Sequence, residues 1–308
     1  VSSVFALTAG AMVAPALAQP ASISAPATVG PPAAPAVPPA PYSLPWQLRP
    51  AAALNVVRSD TSMAFYKNQQ GQSGETVATT LLASYKVTDK VAPLFRLGAV
   101  QNQEPGPMLG NGMAFLNPIV GVVYGTKFGP DLRFAAFAGA TLPVGSGGAK
   151  PATPDDREAT AALSKGILAR SAMDNAMFAV NYFTMIGGFD VAYVAHKATV
   201  QLEATILQLA RVRNADAPSS TESSRTNFTA GLHAGYFLLP MLSLGAEVRY
   251  QRWLSTPAFV SMTPAARDNV TVAIGPRFHF KVGDKAWCRP GISYATGVDK
   301  PLSDANYH

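Results

Sequence analysis

TNFTAGLHAGYFLLPMLSLGAEVRYQRW, residues 226–253, alternates apolar and polar residues on both sides of a Leu-Pro-Met corner. Before the corner one face carries Phe228, Ala230, Leu232, Ala234, Tyr236 and Leu238. The other carries Asn227, Thr229, Gly231, His233 and Gly235. After it, Leu242, Leu244, Ala246, Val248 and Tyr250 oppose Ser243, Gly245, Glu247, Arg249 and Gln251. A period of two is that of a strand, so the stretch predicts a hairpin with one apolar and one polar face. A soluble sandwich would cover the apolar face with a second sheet. Lipid would serve as well, and the polar face would then look into a lumen.

The same alternation recurs along the chain. It predicts eleven strands, at about 53–67, 75–87, 93–102, 113–126, 131–144, 183–195, 198–212, 226–238, 242–255, 269–281 and 286–297. Most exceed the usual soluble strand of about 5–6 residues and match the roughly 9–11 tilted residues that cross a bilayer. The connections alternate in length. Thr88–Ala92, Lys127–Pro130, His196–Lys197, Leu239–Met241 and Val282–Lys285 are short, and longer ones lie between them. Transmembrane barrels segregate tight periplasmic turns from long outer loops in this way. The expectation is therefore an all-β fold: a transmembrane antiparallel up-and-down β-barrel of about twelve strands. Ten is the competing count. Because bacterial barrels have even strand numbers, a twelfth strand is expected beyond the C-terminal residue of this chain. Aromatic residues near strand ends (Phe65, Tyr66, Tyr85, Tyr124, Tyr250, Trp253, Phe278, Phe280 and Trp287) fit interfacial girdles.

Composition narrows the class. Charged residues make up 14% and apolar residues 48%, with a net charge of +6. No uniformly apolar run is long enough for a membrane helix. The basic residues form no run, which argues against a nucleic-acid partner. The single cysteine, Cys288, excludes an internal disulfide and reads as a small apolar side chain on a strand. Residues 1–18 have the apolar core and the Ala16-Leu17-Ala18 ending of a secretory leader. Residues 19–50 form a Pro/Ala-rich linker, expected to be extended, with PYSLPWQLRP docking near the start of the folded part. Residues 51–308 are the barrel.

If the apolar faces meet lipid, the charges between them point inward, since a charge facing mid-bilayer costs about 2–4 kcal/mol. The candidate lining is Arg96, Arg133, Glu203, His233, Glu247, Arg249, Arg277, His279 and Lys281. A lining richer in cations than in carboxylates favours anionic solutes. The alternative is a plugged interior whose charges pair with one another. The longest connection, 145–182, contains Thr153-Pro154-Asp155-Asp156, a helix start followed by about 15 helical residues. That helix either folds into the mouth or caps the rim. A phosphate loop is excluded because Pro151 follows Lys150. There is no GxSxG and no HExxH, and His196, His233, His279 and His308 build no rim constellation, so no enzyme is expected. No cofactor and no metal site is expected.

Two stretches carry a resemblance: PYSLPWQLRPAAALNVVRSDT, 41–61, and WCRPGISYATGVDKPLSDANYH, 287–308. They resemble uncharacterised proteobacterial outer-membrane β-barrel proteins, loosely similar to the family named for the MetA pathway of phenol degradation. The resemblance implies an outer-membrane barrel for uptake of small organic solutes. It also implies a closing strand after the RPG-x-S-[YF] segment. The reading is a monomeric outer-membrane channel or facilitator for small solutes, anionic or aromatic. The alternative is a closed structural or surface-interaction barrel acting through its outer loops.

Overall fold

The computed structural model describes residues 4–12, 42–67, 71–104, 111–149, 152–214, 222–283 and 286–299. The cleavage end of the leader, residues 19–41 of the linker, Lys150 and the residues after 299 lie outside that description. The fold is all-β and antiparallel. The strands are β1 (Val4–Met12), β2 (Val56–Lys67), β3 (Ser73–Ser84), β4 (Val91–Gln103), β5 (Gly112–Phe115), β6 (Ile119–Phe128), β7 (Leu132–Thr141) and β8 (Tyr182–Ala195). There follow β9 (Ala198–Arg211), β10 (Ser224–Leu239), β11 (Leu242–Trp253), β12 (Asp268–Phe278), β13 (Phe280–Val282), β14 (Ala286–Cys288) and β15 (Gly291–Gly297). Three helices, α1 (Pro154–Ala169), α2 (Asn175–Phe178) and α3 (Ala258–Met262), lie in long connections. None of them is long and apolar enough to cross a membrane.

All eleven expected strands form, three of them interrupted. The fourth divides into β5 and β6, the tenth into β12 and β13, and the last into β14 and β15. Neighbours along the main sheet run β3-β2-β1-β15-β12-β11-β10-β9-β8-β7-β6-β4-β5, and β3 pairs with β4 as well as with β2. β13 and β14 form a separate hairpin. Val4–Met12, read from sequence as the core of a leader, pairs with β2 on one side and β15 on the other. That is the position in which the expected twelfth strand would lie.

Register and burial invert the pattern of a soluble sheet. In the β10–β11 hairpin His233 lies opposite Glu247, and Leu232 opposite Val248. His233 is 0% and Glu247 1% exposed, while Leu232 is 40% and Val248 44% exposed. The polar face is the buried one. The turn at Pro240 is short because the chain needs only to reverse, and His196 takes a left-handed φ of 52° in the two-residue turn between β8 and β9. The aromatic expectation divides. Phe65, Tyr85, Phe278, Phe280 and Trp287 are exposed near strand ends and Tyr124 is exposed in the middle of β6, whereas Tyr66 and Trp253 turn inward and are buried.

α1 begins where the sequence places it. The Thr153 hydroxyl accepts from the Asp156 N–H at 3.2 Å, and the Asp156 carboxylate accepts from the Thr153 N–H at 3.2 Å. Its buried stripe is mostly small (Ala159, Ala162, Leu163, Gly166 and Ala169), so the helix lies close against β3, β4 and β5. Of the two placements open to this helix, the chain takes the inward one.

Candidate functional site

Two chain segments enter the space bounded by the polar strand faces. The first is Tyr42–Ala53. It carries Trp46 and Leu48, 2% and 1% exposed, into that space. The sequence expectation is docking near the start of the folded part, where the first long strand, β2, lies. The segment does touch it, through Arg58 Nη1 to Pro45 O at 3.3 Å. Its main partners, however, lie from 154 to 233 residues further on. Backbone N–H groups of Trp46 and Gln47 donate to the Glu247 carboxylate, the latter at 3.1 Å. The Arg49 N–H donates to Glu203 at 2.7 Å, and the Ser43 N–H to the Thr199 hydroxyl at 3.0 Å. Tyr42 donates to Gln201 Oε1 at 2.5 Å and accepts from the Ala51 N–H at 2.8 Å. Burial pushes the Tyr42 hydroxyl up, so it stays a neutral donor. The segment joins no strand ladder and its prolines lack an N–H, so side chains of β9 and β11 supply partners that its backbone needs.

Glycines on the polar faces make the room. A Cβ at Gly231 would sit 2.3 Å from Leu48 Cδ2, one at Gly235 2.1 Å from Ser43 Oγ, and one at Gly291 2.5 Å from the Trp46 ring. Any side chain there would collide with the inserted segment. These three strand glycines therefore mark where another part of the chain approaches.

The second segment is the 145–182 connection. After α1, Ser171 and Ala172 take left-handed φ values of 54° and 56°, which reverses the chain. The turn brings Asp174 between Arg170, at 2.7 Å, and Arg96, at 2.8 Å, while Arg170 Nη1 also donates to Ser62 at 3.0 Å. Burial works against the Asp174 carboxylate, but Arg170 and Arg96 outweigh it and hold its pKa well below the usual range.

The predicted lining residues fall into clear groups. Glu203, His233, Glu247, Arg249, Arg277 and His279 are buried on the polar faces. Arg96 and Arg133 are half-buried there, Arg133 with its guanidinium 4.6 Å from the Tyr42 ring. Arg277 donates to Leu44 O at 2.7 Å and lies 4.2 Å from the Trp46 ring, and Arg249 donates to Gln47 at 2.7 Å. His279 pairs with the Ser243 hydroxyl at 2.8 Å. Lys281 departs from the expectation. It is exposed in the β13–β14 hairpin, because β12 ends at Phe278 and the short hairpin sets off on its own. Glu247 is partnered by the Trp46 and Gln47 amides and by His233, whose Nδ1 is 3.4 Å away.

Sequence reasoning missed Arg49, Asp60, Asp174 and Asp190. Asp190 and Glu203 are side by side in register, and Arg49 bridges them at 3.6 and 3.5 Å. Two adjacent buried carboxylates need such a cation, yet nothing local to either strand names it. The available signal was the pair Tyr42 and Trp46 in a Pro-rich stretch, read together with the glycines on the polar faces.

Four cavities follow one another through the interior. The first, about 330 Å³, lies at the long-connection end beside α2, Trp253 and Phe259. The second, about 90 Å³, lies on the other side of α2, against Arg49, Arg96 and Arg249. The third, about 60 Å³, shares Gln47, Arg49, Leu82 and Arg96 with it and adds Arg58, Arg277 and Arg289. The fourth, about 290 Å³, shares Leu44, Val56 and Arg289 with the third and reaches Lys86 and Arg133 at the short-turn end. Along the inner three, cationic side chains outnumber the carboxylates Asp60, Asp174 and Glu203. No cluster of metal-ligating side chains occurs among the described residues.

No family model matches the chain, and no curated protein does. Among solved structures the fold is similar to the crystal structure of the COG4313 outer membrane channel from Pseudomonas putida F1, at 12% identity, a TM-score of 0.43 and 96% coverage of each chain. A likeness of that degree carries no statement about ligand or mechanism.

Proposed function

We propose that this chain is an outer-membrane β-barrel channel for small anionic solutes. The twelve mutually paired strands form the wall, the exposed apolar faces meet lipid, and the chain works as a monomer. The observation that carries the reading is the run of Arg-lined cavities from the long connections to the short turns. Fixed guanidinium groups in a low-dielectric wall lower the cost of admitting an anion and raise that of admitting a cation. The narrow middle, where the cavities are about 60 and 90 Å³, is set by Tyr42–Ala53 and by α2. Those two segments are the constriction.

A second reading, a closed barrel that acts through its outer loops, draws on the same narrow middle. Planar-bilayer recording separates the two. The channel reading expects discrete conductance steps and, in a salt gradient, a reversal potential displaced toward that of the anion. Silence in bilayers together with impermeable proteoliposomes would leave the closed barrel standing, and cation preference would defeat the anionic part.

A further inference from the structure

The cavity at the long-connection end, about 330 Å³, differs in chemistry from the three beyond it. Its walls include Ile167, Leu168, Phe178, Leu209, Trp253 and Phe259, with Trp253 and Phe259 meeting edge to face at 5.5 Å. Into this apolar lining are set three amides. Asn175, Gln251 and Asn269 are 8%, 0% and 5% exposed. The Asn269 amide nitrogen donates to Gln251 Oε1 at 3.0 Å, which fixes the pair. That leaves Gln251 Nε2 and Asn175 Nδ2 as donors, and Asn269 Oδ1 as an acceptor, with no partner among the described residues. Arg225 completes the wall, its guanidinium 4.8 Å from the Tyr182 ring and held by Glu222 at 2.7 Å.

Buried amide groups without partners cost free energy, and a few converging polar groups in an apolar pocket are the usual makings of a ligand site. Two amide donors beside a guanidinium suit an oxygen-rich acceptor head. An apolar, partly aromatic wall suits a flat hydrocarbon body. We propose that this cavity binds a single-ring aromatic carboxylate, its ring against Phe178, Trp253 and Phe259 and its carboxylate on the Asn175 and Gln251 amides. α2 separates it from the Arg-lined cavities: Asn175 and Phe178 face this side, while Asp174 and Met177 line the other. A bound anion would therefore lie one thin partition from Arg96 and Arg249. The cavity's role as the first station of a permeation path rests on the channel reading; binding itself does not.

The test uses the full chain in detergent micelles, with benzoate as ligand, followed by calorimetry and by quenching of tryptophan emission. Saturable benzoate binding is expected, with cyclohexanecarboxylate and acetate progressively weaker. Gln251→Leu and Asn175→Leu should each weaken benzoate about tenfold, the loss of one charge-assisted hydrogen bond. Ala266→Trp, at the half-buried rim, should fill the space and abolish binding while keeping heat-modifiable gel mobility; it covers the case in which an amide variant fails to fold. No saturable binding, or binding unchanged in the variants, overturns the site. Conductance of the same preparation keeps the two readings apart. Binding without conductance defeats the channel but not the site, and conductance without binding defeats the site but not the channel.

Discussion

Trp46→Ala tests the inserted segment most directly. The indole is 2% exposed, lies 4.2 Å from the Arg277 guanidinium and donates from Nε1 to Gly245 O at 3.3 Å. Gly291 leaves β15 bare beneath the ring, so that strand offers no side chain at this position to fill the gap. Truncating a buried Trp in such a setting costs about 3–5 kcal/mol, a figure that already includes the cation–π contact. The lost contacts belong to the docking of Tyr42–Ala53 and only slightly to the strand ladder. Their loss therefore shifts the docked-to-released ratio roughly a hundredfold to a few thousandfold. Two readouts on one preparation follow this shift. Thermolysin cleavage within residues 42–53 tracks the released population, since cleavage samples the open form. Single-channel conductance should rise, because the segment narrows the middle of the interior. Trp46→Phe, which keeps an aromatic face over Arg277, should restore most of the protection. A Trp46→Ala protein as resistant as the parent and unchanged in conductance would refute both the anchoring and the constriction.

Other consequences are as direct. Gly235→Ala places a methyl 2.1 Å from Ser43 Oγ; it should loosen the segment at a cost of about 1–3 kcal/mol without disturbing the wall, read by the same proteolysis. Asp174 has a depressed pKa, so the stability it lends to the inward loop is present above about pH 3.9, the unfolded value, and is lost as pH falls below it toward the folded value. Amide protection over 154–178, taken relative to the intrinsic exchange rate at each pH, should therefore hold from neutral pH to about pH 4 and fall only below, and Asp174→Asn should lower it throughout. Arg133→Glu, at the short-turn end, should move the reversal potential toward cations; an unmoved potential would remove this residue from the path. Val248→Arg, on the exposed apolar face, should cost about 2–4 kcal/mol of folding stability in lipid vesicles, whereas Thr229→Ser, on the buried face, should cost far less.

How much of this was legible beforehand differs from element to element. The β10–β11 hairpin was readable to the residue, because pleat and register tie each side chain to one face: His233 opposite Glu247 and Leu232 opposite Val248 follow from alternation and one short turn. The start of α1 was equally local, written in Thr153, Pro154 and Asp156. Lys281 was misplaced because alternation continues through residue 279 although the ladder does not, and periodicity alone cannot see a strand break. The inserted segment was less legible still. YSLPWQLRP has no period, its prolines remove donors, and its partners Glu203 and Glu247 lie some 154 and 201 residues away.

The sequence by itself determined the strands, their faces and the inversion that buries Arg, Glu and His while exposing Leu and Val. These follow from short-range alternation, which the backbone converts into geometry without further information. Only the tertiary structure decided what occupies the buried side. The interior is filled by Tyr42–Ala53 and by the α1–α2 loop because unpaired carboxylates, arginines and bare glycines on distant strands meet there. Such groups must find partners once they leave water, and which partner reaches them depends on the three-dimensional path of the chain rather than on any neighbour in sequence.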